Sequence, residues 1–448
     1  MHSRVRVIIT VIFATAFLVT APALILFTSG YRYNWKRQRI QKTGSIRVET
    51  IPAGARASLD GIPQKKASPA SYSRLLPEDY LVRLEKAGYL AWEKTLEVRS
   101  GETTFATGVV LYKDALPRLV LDRDVAYAAW SPDKTSAAFV ADDGAWKELV
   151  ALKSGAEPVL LARYASDAYK DATIEWSPAG DAILFAASED GSSRILRFRL
   201  DAPSASLAIH EGFPKGKLVA RWNDDGSQIV VASADGVFST DAETGAVAPV
   251  RLEAGVEDAL LRGKTAYVLR NGRGPDGSPM VALERLNGDA TSAVAVFPAG
   301  DYRFLADDGR RLAVAEPEKK RVTIVDPANG GSLAFDATGA AWGAKDKRLL
   351  LWNDFEIFTA DAADGSRSLI TRLGTPIAGC AWSPGGDAVI FGTANGISAA
   401  ELDDRDRRNV FYLIRFTNVG AFAVDPEKNV LRFVGSVGNQ RGIYERDL

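Results

Sequence analysis

One short phrase recurs four times in this chain: Trp130-Ser131-Pro132-Asp133, Trp176-Ser177-Pro178-Ala179, Trp222-Asn223-Asp224-Asp225 and Trp382-Ser383-Pro384-Gly385. An apolar run follows each, such as Ala137-Ala138-Phe139-Val140 or Ala388-Val389-Ile390-Phe391. The first three tryptophans stand 46 residues apart both times. A fixed period of roughly 40–50 residues with strand–turn–strand content is the sequence form of a β-propeller blade. The phrase has a physical reading. An aromatic ring ending an inner strand buries a large area between neighbouring blades. Ser-Pro-Asp-Gly variants then turn the chain sharply, because proline fixes φ and glycine accepts a positive one.

With the aromatic as phase mark, units fall at Trp130, Trp176, Trp222, near Leu261, and at Phe304, Trp342, Trp382 and Phe422. Eight marks predict an eight-bladed propeller over residues 113–448. Seven blades is the alternative, if the weakly marked unit near Leu261 is an insertion. The last unit has room for three strands only, so residues 118–122 are expected to supply a fourth and close the ring. These turns resemble those of TolB-like, WD-type propellers and of prolyl-oligopeptidase relatives. That resemblance covers residues 118–448 and implies a fold rather than a function, because propellers host many partners.

The N-terminus is of another kind. Residues 7–27 carry no charge over 21 positions, long enough for a helix to cross a hydrocarbon core of about 30 Å. Arg4 and Arg6 precede the run, and Tyr31, Tyr33 and Trp35 follow it as an interfacial aromatic belt does. Residues 1–28 are therefore expected to be an uncleaved transmembrane anchor contacting lipid through residues 7–27. The rival is a cleaved signal peptide, for which Ala21-Pro22-Ala23 has small residues at the right spacing. Residues 29–43 read as a basic juxtamembrane linker. Its Arg32, Lys36, Arg37, Arg39 and Lys42 outnumber Arg4 and Arg6, which by the positive-inside rule favours a cytoplasmic bulk.

Residues 44–112 alternate apolar and polar positions in short runs broken by turn signals, as in Ser45-Ile46-Arg47-Val48 and Tyr80-Leu81-Val82-Arg83-Leu84. A small all-β domain is expected. The order Pro52-Ala53-Gly54-Ala55, Leu59-Asp60-Gly61, Ser68-Pro69-Ala70, Leu76-Pro77, Tyr80, Lys86-Ala87-Gly88-Tyr89 and Trp92 resembles the PEGA domain, a small β-sandwich. Glu78-Asp79 departs from it where glycine is usual, so a different turn type is expected there. The resemblance implies a non-catalytic module common on envelope proteins, and names no ligand.

Site chemistry is scarce. The chain has two histidines and one cysteine. Only His210 lies where a metal centre or Ser-His-Asp triad could use it, and Cys380 beside Trp382 reads as a buried small hydrophobe. There is no Gly-x-Ser-x-Gly elbow, phosphate loop, His-Glu-x-x-His or paired-cysteine pattern. The glycine-rich stretch 271–279 reads as a surface loop. Asp-Asp-Gly at 142–144, 224–226 and 307–309 reads as hairpin chemistry, with calcium as the minor alternative. The charge run 401–408 reads as a solvated connection, with a partner contact as its alternative. Basic residues with aromatics at 32–42 suit a membrane flank better than nucleic acid.

These observations predict an all-β chain: an N-terminal transmembrane helix, a PEGA-like β-sandwich and a propeller. The expected function is that of a membrane-anchored, non-catalytic envelope protein, bulk extracytoplasmic, whose propeller loops hold a protein partner or surface polysaccharide. No catalytic, cofactor or metal site is expected. One alternative is a structural protein binding peptidoglycan or polysaccharide through the PEGA-like part. Another is an enzyme, such as a carbohydrate-active hydrolase, with channel carboxylates.

Overall fold

Along Gly44–Ile51 and Asp79–Glu85 every second residue is buried, so each strand covers a core with one face and meets water with the other. The computed structural model describes residues 2–305, 309–343, 348–438 and 440–448. They form two compact units, Met1–Ala115 with Asp403–Phe411, and Leu116–Leu402 with Tyr412–Leu448.

The first unit begins with helix His2–Thr28, which contains Pro22. Its segment Arg6–Thr28 is long and apolar enough to cross a membrane, and none of its apolar window is covered by the rest of the chain. Residues 29–43, expected to be a linker, instead contain a two-stranded hairpin, Tyr31–Asn34 against Arg39–Lys42. Tyrosine and isoleucine at facing positions favour pairing, and Thr43 closes the hairpin base by donating its N–H to the Gly30 carbonyl at 2.8 Å.

Two sheets follow. In one, Gly44–Ile51 lies between Ala70–Leu75 and Thr103–Val110, parallel to the latter. The other orders Ile62–Pro63, Arg56–Leu59, Asp79–Glu85 and Trp92–Glu97. Ile46, Val48, Val82, Leu84, Trp92 and Leu96 are fully buried in this unit. The Pro52–Ala55 segment is held by Ser68, whose Oγ accepts from the Ala55 N–H at 2.9 Å, and by Lys86 Nζ, which donates to the Ala53 carbonyl at 2.7 Å. Gly54 has φ +90°, which only glycine adopts freely. Neither Glu78 nor Asp79 needs a positive φ, which explains why glycine is dispensable at that bend.

In the second unit, the described residues form four-stranded antiparallel sheets, eight in number, each a simple up-and-down meander except the last. The weakly marked unit near Leu261 is a complete sheet built from Val256–Arg262, Thr265–Arg273, Pro279–Asn287 and Ala290–Pro298. In the last sheet Phe422–Asp425, Val430–Val437 and Gln440–Asp447 are joined by Arg118–Asp122, which pairs with the final strand (Leu119 opposite Tyr444). The first strands of most successive sheets touch one another, as Val125–Trp130 touches Lys170–Trp176 and Gly339–Trp342 touches Ile377–Trp382, so these are the inner strands of the propeller. Second strands such as Ala137–Asp142 and Leu312–Glu316 are buried almost throughout, because neighbouring sheets cover both faces.

Candidate functional site

The repeated phrase turns out to be scaffold, and its hydrogen bonds say how. Ser177 Oγ accepts from the Ala182 N–H at 3.0 Å and donates to Asp181 at 2.7 Å. Ser383 does the same with Ala388 and Asp387, and Asn223 replaces serine with its amide, accepting from Gln228 N–H at 3.0 Å. The tryptophans bond to the preceding sheet. Trp176 Nε1 donates to the Ala129 carbonyl at 3.0 Å, Trp222 to Glu175 at 3.4 Å and Trp382 to Ala341 at 3.3 Å. Each acceptor immediately precedes the previous sheet's own tryptophan. The indole nitrogens of Trp130 and Trp342 are buried without a hydrogen-bond partner among the described residues.

With the phrase used up in construction, two features of the inner strands remain. The first is a cavity of about 540 Å³ where the inner strands of the first, seventh and last sheets begin. That volume is within the range of ligand pockets. Its wall is small and apolar, with Gly379, Gly420 and Gly435 among Tyr127, Trp352 and Phe422. At its side stands Ser436, 3% exposed, with a buried hydroxyl that has no partner among the described residues. Such a buried, unpaired hydroxyl costs free energy. Arg441 at the rim is half-exposed and paired with Asp124 at 2.7 Å. Cys380 also lines the cavity, and burial pushes its thiol well above the ordinary range. Such a thiol is a poor nucleophile.

The second is an ion cluster on consecutive inner strands. Arg221 donates to both oxygens of Asp258, at 2.9 and 2.8 Å, and to the Phe304 carbonyl at 3.0 Å. Asp258 also accepts the backbone N–H of Phe304 at 2.8 Å and of Ala259 at 2.9 Å. Glu175 accepts the Trp222 N–H at 3.1 Å, and burial raises its pKa against the opposing pull of Arg221. Two carboxylates do converge here, yet Asp258 has four donors and is fully engaged. The chemistry available is that of a clasp joining four sheets.

The other singled-out residues have structural work. His210 Nδ1 is 3.0 Å from the Ile195 carbonyl, beside a cavity of about 250 Å³. Its neighbour Ser193 exchanges hydrogen bonds with the Leu218 backbone, which occupies the hydroxyl. Residues 271–279 form a hairpin end, with the Gly274 N–H on the Ser278 carbonyl at 2.8 Å. Asp142 accepts the Gly144 N–H at 2.9 Å and Asp225 the Ser227 N–H at 2.8 Å, both as turn chemistry, while Asp224 accepts the Gly263 N–H of the next sheet at 3.1 Å. Asp307 and Asp308 lie outside the described residues. Among the described residues no cluster of three His, Cys, Asp or Glu could hold a metal ion.

The charge run 401–408 is, as expected, a connection between two strands, Gly396–Glu401 and Val410–Ile414, exposed at Asp404–Arg407, but it is also held by specific contacts. Its residues from Asp403 onward belong to the first unit. Lys94, with a completely buried side chain, donates to the Asp403 carbonyl at 2.7 Å and stands 3.5 Å from its carboxylate. The Thr95 N–H donates to Asp406 at 2.9 Å and holds that carboxyl below its usual range. Arg405 donates to the Phe105 carbonyl at 2.8 Å. A lysine on an alternating strand gives no local sign of such a partner.

Comparison with known proteins agrees with this architecture. Residues 43–110 match the PEGA domain. The WD40 domain of Sif2 is 14% identical, with a TM-score of 0.51, covering 74% of this chain and 99% of that one. TolB from Acinetobacter baumannii is 15% identical with a TM-score of 0.36 over 65% of this chain and 63% of its own. Porphyromonas gingivalis dipeptidyl peptidase 4 is 11% identical with a TM-score of 0.49, covering 73% and 58%. No curated protein is similar enough to count as a relative. The chain therefore holds a segment matching the PEGA domain, preceded by an apolar helix and followed by a β-propeller with the fold of the WD40 domain of Sif2.

Proposed function

We propose that this chain is a single-pass, membrane-anchored recognition protein without catalytic activity, its bulk extracytoplasmic. The helix Arg6–Thr28 is the anchor and the propeller cavity takes part of a protein partner. The observation that carries this reading is the cavity of about 540 Å³ walled by Gly379, Gly420 and Gly435 among Tyr127, Trp352 and Phe422. Its lining is mostly apolar with a few polar residues, Asn418, Ser436 and Arg441 among them, the combination that seats and orients a bound group. The ionisable groups around it are ill suited to catalysis: a paired arginine and a thiol held in its neutral form.

Gly379 allows a clean test. A Cβ added there meets nothing closer than Phe422 at 3.8 Å, so the backbone accepts a side chain at this cavity wall and Gly379→Leu places bulk there. Crosslinking in intact membranes should give a stoichiometric partner with the parent chain and lose it with Gly379→Leu. Equal capture by both chains rejects the cavity as the site. A reporter fused to the C-terminus tests the side of the membrane, and a cytoplasmic signal rejects the extracytoplasmic assignment.

A further inference from the structure

The hairpin after the apolar helix has two chemically different faces. Tyr31 stands opposite Lys42 and Tyr33 opposite Ile40, so these four share one face, while Arg32, Asn34, Arg39 and Gln41 share the other. The second face is turned to the protein at Asn34, which is buried and accepts the Arg37 N–H at 3.0 Å. The first face is open. Tyr33 and Ile40 are exposed there, and Trp35 is 83% exposed with its ring edge-on to Tyr33 at 4.8 Å. Aromatic and aliphatic groups gathered on one open face call for a cover.

Two observations identify that cover. The hairpin base is fixed to the end of the apolar span, because Arg32 donates to the Phe27 carbonyl at 2.8 Å and stacks 3.6 Å over its ring. Gly30 also accepts from both the N–H and the hydroxyl of Thr43. The charge is one-sided as well: the sequence holds no Asp or Glu before Glu49, while Arg32, Lys36, Arg37, Arg39 and Lys42 crowd into the hairpin. Lys36 lies 3.4 Å from Glu78, yet remains 84% exposed. Tyr and Trp favour the headgroup level of a bilayer, and basic residues beside them favour anionic lipid.

We propose that this face lies in the headgroup layer of an anionic bilayer, with Trp35 and Ile40 inserted and the basic residues among lipid phosphates. The inference rests on reading the helix as an anchor. In this arrangement the hairpin is a second membrane contact that restrains the unit it belongs to.

The test uses the full chain in vesicles containing about 30% phosphatidylglycerol in phosphatidylcholine. Cys380→Ser provides a background without thiols, into which single cysteines are placed for spin labelling at Phe17, Ile40 and Lys153. Collision with oxygen, which concentrates in lipid, is compared with collision with a water-soluble nickel chelate. The Ile40→Cys label should behave as immersed, like Phe17→Cys and unlike Lys153→Cys. In pure phosphatidylcholine its immersed fraction relative to the exposed one should fall by about fivefold for each basic residue engaged. An Ile40 label as water-accessible as Lys153, with Phe17 in lipid, overturns this inference alone. A water-accessible Phe17 label overturns the anchor reading and this inference with it.

Discussion

Trp176 Nε1 donates to the carbonyl of Ala129, one residue before the preceding sheet's tryptophan, at 3.0 Å. The ring thus ties two sheets by burial and by a directed bond. Trp176→Ala should cost about 3–5 kcal/mol by denaturant unfolding. Trp176→Phe, which keeps most of the ring, should cost about 1 kcal/mol more than the equivalent Trp130→Phe, whose indole nitrogen has no partner to lose among the described residues.

Arg221 satisfies a carboxylate that is 1% exposed. Arg221→Met leaves Asp258 charged and uncompensated, and should destabilise the second unit by about 3–5 kcal/mol. Arg221→Lys should recover only part of this, since an ammonium cannot hold both oxygens in the same fork.

Glu175 titrates in the opposite sense to a salt-bridged acid. Its folded pKa is raised by burial above the ordinary 4.5. Its contribution to stability is therefore complete below about pH 4.5 and is lost as pH rises through the folded value. Glu175→Gln keeps the acceptor for Trp222 N–H and removes the ionisation. The Tm advantage of Glu175→Gln over the parent chain should be nil at acid pH and grow as the pH is raised to neutrality.

Lys94 is held by the segment Asp403–Phe411. Lys94→Ala should cost about 2–3 kcal/mol, less than a fully buried pair because the Asp403 carboxylate stays partly in water. Hydrogen exchange should quicken at residues 403–411 and in the strand Trp92–Glu97 while the inner propeller strands stay protected.

Cys380 should alkylate slowly. With its thiol pushed up by burial, reaction with iodoacetamide at pH 8 should run at least about tenfold slower than with free cysteine. Adding bulk at the cavity wall by Gly379→Leu should slow it further, and urea should restore the rate.

Legibility follows locality. The Trp-Ser-Pro turns are readable because serine, proline and the following aspartate act within five residues of one another, and the alternation of Asp79–Glu85 is likewise complete in itself. The closing strand can be inferred by counting strands in the last unit. The cavity cannot, because Val125, Gly379 and Ser436 meet only after the ring closes and none is chemically conspicuous alone. The Lys94 to Asp403 contact joins residues 309 apart, which a reading of neighbouring charges has no means to find. The hairpin at Tyr31–Lys42 is masked by its own basic residues, which suggest an unstructured flank.

Both units borrow from the far end of the chain, and this sets a timetable for synthesis. The PEGA-bearing unit leaves the ribosome early yet lacks Asp403–Phe411 until some three hundred further residues have been made. Arg118–Asp122, the first strand of the propeller to emerge, waits even longer for Gln440–Asp447. Throughout that interval two unfinished edges coexist on one nascent chain, one of them close to the bilayer if the helix has inserted. Neither half can therefore be completed before residues 403–447 have been made, the first by Asp403–Phe411 and the propeller by Gln440–Asp447.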